Sequence, residues 1–63
     1  MKVEIKNKIS TGYEVEDLKS KKVYILSVDK ANIGDRFVII NPLFWMGNKY
    51  IILDKETIIS KIN

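Results

Sequence analysis

The opening of the chain alternates, and that alternation constrains the fold more than any other feature. From Val3 to Ile9, Val3, Ile5 and Ile9 take one parity and Lys2, Glu4, Lys6 and Lys8 the other. Successive side chains of a strand point to opposite faces, so this pattern predicts a strand with one apolar and one charged side. Ser10-Thr11-Gly12 reads as a turn, and Tyr13-Glu14-Val15-Glu16 alternates again. The two pieces read as a hairpin closed by a short glycine-containing loop.

The same reading extends down the chain. Asp17 to Lys22 is a polar connection with room for one helical turn. Val23 to Val28 is β-branched and aromatic, the composition of a central strand. Asp29 to Asp35 reads as a turn in which Gly34 is free to take a positive φ. Arg36–Ile40 and Lys49–Leu53 read as further strands. At residues 55–62 two patterns compete. Ile58, Ile59 and Ile62 would share one face of a short helix capped by Asp54, but β-branched content and short length favour a turn and a closing strand. The expected fold is all-β: a small SH3-like or OB-like barrel, or a rolled antiparallel sheet, of five to six short strands. A short C-terminal helical turn stays open. Rolling up also removes the flat exposed edges that strands such as Phe37–Ile40 and Tyr50–Leu53 would otherwise present.

Sixty-three residues make one domain, expected over 1–63. A chain this small buries only about 60% of its unfolded surface, so its stability margin is thin. It has no Cys and no His, which excludes disulfides and the commonest transition-metal ligands. A tight core or self-association remains. An apolar content of 46% supports an independent fold. The N-terminal alternation lacks the apolar core of a signal peptide, and no run approaches the ~18 residues of a membrane span. A cytoplasmic protein is expected. Ile, Lys and Asn are abundant, while Ala31, Pro42 and Arg36 are each the sole residue of their type. That bias points to an A/T-rich genome, where small single-domain chains are often phage or mobile-element accessory proteins.

The segment Asn41-Pro42-Leu43-Phe44-Trp45-Met46-Gly47-Asn48 breaks the alternation. Turn formers bracket four large apolar side chains, read here as a loop, and a single small core cannot receive all four. Three fates are open to them: plugging the barrel mouth, contacting a different protein, or self-association. Leu43, Phe44, Trp45 and Met46, with Tyr50 as neighbour, are the candidate partner-binding residues.

Other chemistry is thinly represented. Without His or Cys the usual general base and thiol nucleophile are missing, and no catalytic function is expected. Glu14, Glu16 and Asp17 lie close together and read as a solvated edge, with a weak divalent-metal site as the alternative. No cofactor or metal is expected. Gly12, Gly34 and Gly47 are too far apart for a nucleotide-binding loop and read as turn glycines. The net charge of +3 permits nucleic acid without demanding it. In that alternative Lys6, Lys8, Lys21 and Lys22 supply the charge, and an exposed Tyr24 stacks on bases. Glu4, Glu14 and Glu16 dilute that field.

Two family resemblances rest on strand spacing. The polar link, Lys21-Lys22-Val23-Tyr24, and the turn and final segment beyond them resemble the small archaeal chromatin proteins. These are SH3-like barrels whose sheet lays an apolar or aromatic wedge on the DNA minor groove, and the resemblance implies that Tyr24 falls near that wedge. This chain departs from them in its small basic excess and in carrying Leu43–Met46 where they have a glycine cluster. Ile33-Gly34-Asp35-Arg36-Phe37-Val38, with Tyr50–Leu53 and Ile58-Ile59, is similar to the C-terminal half of GroES-type co-chaperonins. The long chaperonin-binding loop of that family has no counterpart here.

Overall fold

In the computed structural model, which describes residues 1–62, the chain forms seven strands and no helix. These are β1 (Lys2–Ile9), β2 (Gly12–Asp17), β3 (Val23–Leu26), β4 (Arg36–Ile40), β5 (Leu43–Trp45), β6 (Tyr50–Ile52) and β7 (Ile58–Lys61). They make one mixed sheet in the order β5-β6-β3-β2-β1-β4-β7. Every pairing is antiparallel except β3–β6, which is parallel. Asn63, the last residue of the expected domain, lies outside the described residues.

The expectation of five to six strands is corrected to seven. The additional one is β5, the segment read as a loop. The C-terminal ambiguity resolves as strand, because Ile58 to Lys61 pairs with Ile40 to Phe37 of β4. The polar link after β2 holds turns rather than a helical turn. There the Asp17 carboxylate accepts the amides of Lys19 at 2.9 Å and Ser20 at 3.4 Å, an Asx turn that competes with helix formation. The all-antiparallel expectation also gives way. β3 and β6 run the same way, since two strands and their connections intervene between them.

The sheet is strongly curled. Laid flat, seven strands at about 4.8 Å spacing would span roughly 29 Å between outer strands. The longest extent of the molecule is 24 Å and the other two are 23 and 22 Å. Curling brings inward-facing side chains of both halves onto one core of Val3, Ile5, Tyr13, Val15, Tyr24, Leu26, Ile39 and Ile51. No charged side chain is buried there. The phenol of Tyr13 is satisfied by the Ala31 amide at 3.2 Å. The sheet is open: β5 and β7 stand at its two ends and each pairs on one side only.

A bulge in β1 rearranges the expected faces. Ile5 pairs with Val15, but Asn7 pairs with Glu14, so Lys6 is the extra residue. Beyond it the parity flips. Asn7 joins the outer side, where its amide donates to Glu14 at 3.0 Å. Lys8 falls opposite Tyr13, with its ammonium 4.8 Å from the ring centroid. Ile9, expected beside Val3 and Ile5, is therefore half-buried opposite Gly12 instead of in the core.

Two ends of the chain's long links are also tied down. The Met1 ammonium donates to the Ile39 carbonyl at 2.7 Å, and the Ile39 amide returns a bond to the Met1 carbonyl at 2.7 Å. Past β3, Ile5 exchanges backbone bonds with Asp35 and Gly34, both at 2.8 Å. Gly34 takes the expected positive φ, 95°. Among the described residues no helix is long and apolar enough to cross a membrane.

Candidate docking face

β5 and β6 form a hairpin at one end of the sheet, with Leu43 opposite Ile52, Phe44 opposite Ile51 and Trp45 opposite Tyr50. Residues 46–49 close it, and the Lys49 amide donates to the Trp45 carbonyl at 3.1 Å. Met46, Gly47 and Asn48 have φ of 54°, 68° and 65°, three successive left-handed residues. Gly and Asn take that conformation readily, while for Met it costs about 1 kcal/mol. The turn explains why the segment is a strand. Turn formers around the apolar run signal a loop to a sequence reading, whereas here they fold an aromatic strand back onto its neighbour.

Pairing register divides the apolar run between two faces. Phe44 points inward with Ile51 and packs on Tyr24, ring centroids 5.3 Å apart. Leu43 and Trp45 point outward with Ile52 and Tyr50, and the Trp45 and Tyr50 rings lie 6.3 Å apart. Trp45 is 62% exposed and Met46 60%. Plugging the interior therefore falls to Phe44 alone, and only in part, since 39% of its surface remains exposed. Of the five expected contact residues, Leu43, Trp45 and Tyr50 share the outer face, Met46 sits in the turn, and Phe44 belongs chiefly to the core wall.

The outer face continues beyond the hairpin. Ile25 of β3 lies in register with Tyr50, on the opposite side of the sheet from Tyr24 and Leu26. Val23 shares its parity and is 55% exposed. The sequence reading missed Val23 and Ile52 as members of this surface; Ile25, on the same side of the sheet, is buried and does not contribute to it. Ile52 shares the parity of Tyr50, so alternation could have found it, whereas only the parallel β3–β6 pairing brings Val23 beside them. Val23, Leu43, Trp45, Met46 and Ile52 are all exposed on or beside this face, and a contiguous apolar patch of a few hundred Å² is about the size of a monomer's largest patch, which is often functional.

Across β2, β1 and β4 the outer surface becomes charged. Lys6 bridges Glu4 at 3.0 Å and Glu16 at 3.6 Å, and Arg36 reaches Glu4 at 3.0 Å. Hydrogen bonds from Lys6 first, and Arg36 second, hold the Glu4 carboxyl below its ordinary value of 4.5. The same Glu4 bond raises Lys6 above 10.5. Amide donation, chiefly from Lys19, lowers Asp17 below 3.8. A carboxylate with a depressed folded-state pKa stabilises the fold above its unfolded value, and that contribution disappears as pH falls through the folded value. Urea midpoints are thus expected to decline as the solution is acidified below the 4.5 and 3.8 of ordinary Glu and Asp. Glu4→Gln should flatten part of that decline. An unchanged acid profile in the variant would show the Glu4 network to be irrelevant to stability.

The residues of the nucleic-acid alternative are dispersed. Lys6 is held by two carboxylates, and Lys8 lies over Tyr13. Lys21 and Lys22 sit in the β2–β3 connection, with Lys21 at a φ of 67°. Tyr24, expected exposed and near a DNA wedge, is 9% exposed and packed against Phe44 inside the sheet. Its inward parity follows from pairing with Val15, itself in the core. Lys22 alone approaches the aromatic hairpin, lining an open groove with Val23, Tyr24, Phe44, Gly47 and Asn48. The acidic trio is equally divided: Glu14 accepts from Asn7, Glu16 binds Lys6, and Asp17 caps its own turn. Among the described residues no three acidic side chains converge as a metal site.

Comparison with protein-family models, curated proteins and solved structures returned no match.

Proposed function

We propose that this chain is a small non-catalytic protein-interaction module, a cytoplasmic barrel-like scaffold that presents the β5–β6 hairpin to another polypeptide. The observation that carries the reading is the outward parity of Leu43 and Trp45, continued by Tyr50, Ile52 and Val23. An apolar face of this size on so small a chain is costly to leave in water, and covering it contributes about 25 cal/mol per Å² before association entropy is subtracted. Trp and Tyr at its centre are the residues most used as interface anchors. Nucleic-acid binding is the weaker reading. Lys6 and Lys8 are engaged within the fold, and Tyr24 faces inward.

The test places a photoreactive amino acid at Leu43 and irradiates the protein in cells. The expected product is a covalent adduct with a polypeptide. In parallel, Trp45 fluorescence in the dilute purified protein is expected to be open to acrylamide and unchanged by mixed DNA and RNA at low salt. A salt-sensitive Trp45 response to nucleic acid with no protein adduct would overturn the proposal.

A further inference from the structure

The open edge of β7 presents its backbone groups in a self-complementary register. We propose that it docks the β7 strand of a second copy of this chain, antiparallel about a twofold axis through Ser60. The direction of those groups follows from the bonds of β4. Ile39 exchanges both its backbone bonds with Met1, on the β1 side. Backbone groups alternate sides along a strand, so Val38 and Ile40 turn theirs to β7, where they meet Ser60 and Ile58. The Ile62 amide donates to the Arg36 carbonyl at 2.9 Å and continues the series. Ile59 and Lys61 therefore turn their amides and carbonyls away from β4. Among the described residues no strand lies beyond them. Such an edge is a template for another extended strand.

The register selects the occupant. Centred on Ser60, a twofold pairing lets Ile59 of each copy exchange both bonds with Lys61 of the other. Centred on Lys61, it would set two like charges directly opposite. Centred on Ile59, it would bring Lys61 to Thr57 of the other copy, whose amide already donates to the Asp54 carbonyl at 3.0 Å. Side chains agree with the first arrangement. Ile59 packs toward the core, so Ile58, Ser60 and Ile62 share the outer side. The Ser60 register sets the exposed Ile58 of each copy against the exposed Ile62 of the other, beside the exposed Ile40. Each Lys61 keeps its own Asp35 at 3.5 Å, and the two ammoniums stay off the axis. No proline or bulge interrupts β7, whereas β5 at the other edge has three residues between Pro42 and the left-handed turn. The β7 edge is separate from the outer β5–β6 face, and the proposal does not depend on the reading above.

Sedimentation velocity over a concentration series, on the full chain, tests the proposal. A concentration-dependent dimer is expected. Lys61→Pro removes an amide that faces the edge and no bond to β4, so it should weaken the dimer at least about tenfold while circular dichroism stays β-rich. Lys61→Ala, which keeps the amide, should leave the dimer in place, and so should Trp45→Ser. Ser60→Cys gives a readout that needs no change in backbone chemistry. The chain has no other cysteine, and the axis sets the two thiols face to face. Under mild oxidation it should cross-link at least about tenfold faster than Ser20→Cys, placed on the exposed β2–β3 connection. A monomer at every concentration, a folded Lys61→Pro that still dimerises, or equal cross-linking of the two cysteine variants would each overturn the proposal. Loss of the dimer in Trp45→Ser would also overturn it, by moving association to the β5–β6 face. A monomer that still gives a protein photoadduct at Leu43 would end the β7 proposal alone and leave the docking function standing.

Discussion

Phe44→Ser is expected to destabilise the protein by about 1.5–3 kcal/mol, whereas Trp45→Ser one residue later costs the fold less than about 1 kcal/mol. The two neighbours differ because β5 splits them. The Phe44 ring rests on Tyr24 and forms part of the core wall, so truncation leaves a void beside a buried aromatic. Trp45 touches Tyr50 on the outer face and is 62% exposed. A 63-residue domain has roughly 3–9 kcal/mol of total stability. Phe44→Ser therefore lowers the melting temperature by about 6–24 °C, at roughly 4–8 °C per kcal/mol for so small a domain. For association the ranking reverses. Trp45→Ser should cost at least about 2 kcal/mol, some 30-fold in affinity, as loss of an aromatic anchor does. Thermal melts paired with the Leu43 cross-linking assay read both quantities. Equal thermal losses in the two variants would mean that the register assigned to β5 is wrong.

Gly12→Ala is expected to cost about 2–4 kcal/mol, the largest effect among the glycines. Gly12 opens β2 with a φ of 147°, and a Cβ there would lie 2.5 Å from the Leu26 carbonyl oxygen. That carbonyl belongs to β3, whose pairing with β2 places Leu26 opposite Tyr13. Relief would require the centre of the sheet to part, a movement that also disturbs the Ser27 hydroxyl bond to the Thr11 carbonyl. Gly34 supplies the control. Its φ is 95°, but a Cβ there meets nothing within 4 Å, so Gly34→Ala pays conformational strain alone, about 1 kcal/mol. Melting temperatures of the two variants should differ by 5 °C or more, to order of magnitude. Matching losses would show that the close approach at Gly12 does not govern stability.

Much of this architecture is legible in local pattern. Alternation through Val3 and Ile5, and again through Tyr13 and Val15, identifies β1, β2 and four core residues, because a strand repeats every two residues. The turn at Gly34 and the strand at Ile58–Lys61 are readable from glycine chemistry and β-branching. Other elements are hidden for identifiable reasons. The bulge at Lys6 has no sequence signature in an alternating stretch, yet it exchanges the faces of Lys8 and Ile9. Tyr24 sits between Val23 and Ile25, where apolar residues of both parities leave its direction unmarked until β2 pairs with it.

For the candidate docking face the division is similar. Sequence alone determined that a small all-β domain without disulfides carries more large apolar groups around residues 43–46 than one core can hold. Strand geometry forbids all four from facing inward, whatever the fold. Only the tertiary structure decided which of them turn out. The left-handed turn at 46–48 makes a strand of the segment, and pairing with β6 turns Phe44 inward against Tyr24 and Trp45 outward. The parallel β3–β6 contact then extends that surface to Val23, some twenty residues earlier in the chain, an adjacency that local periodicity does not encode.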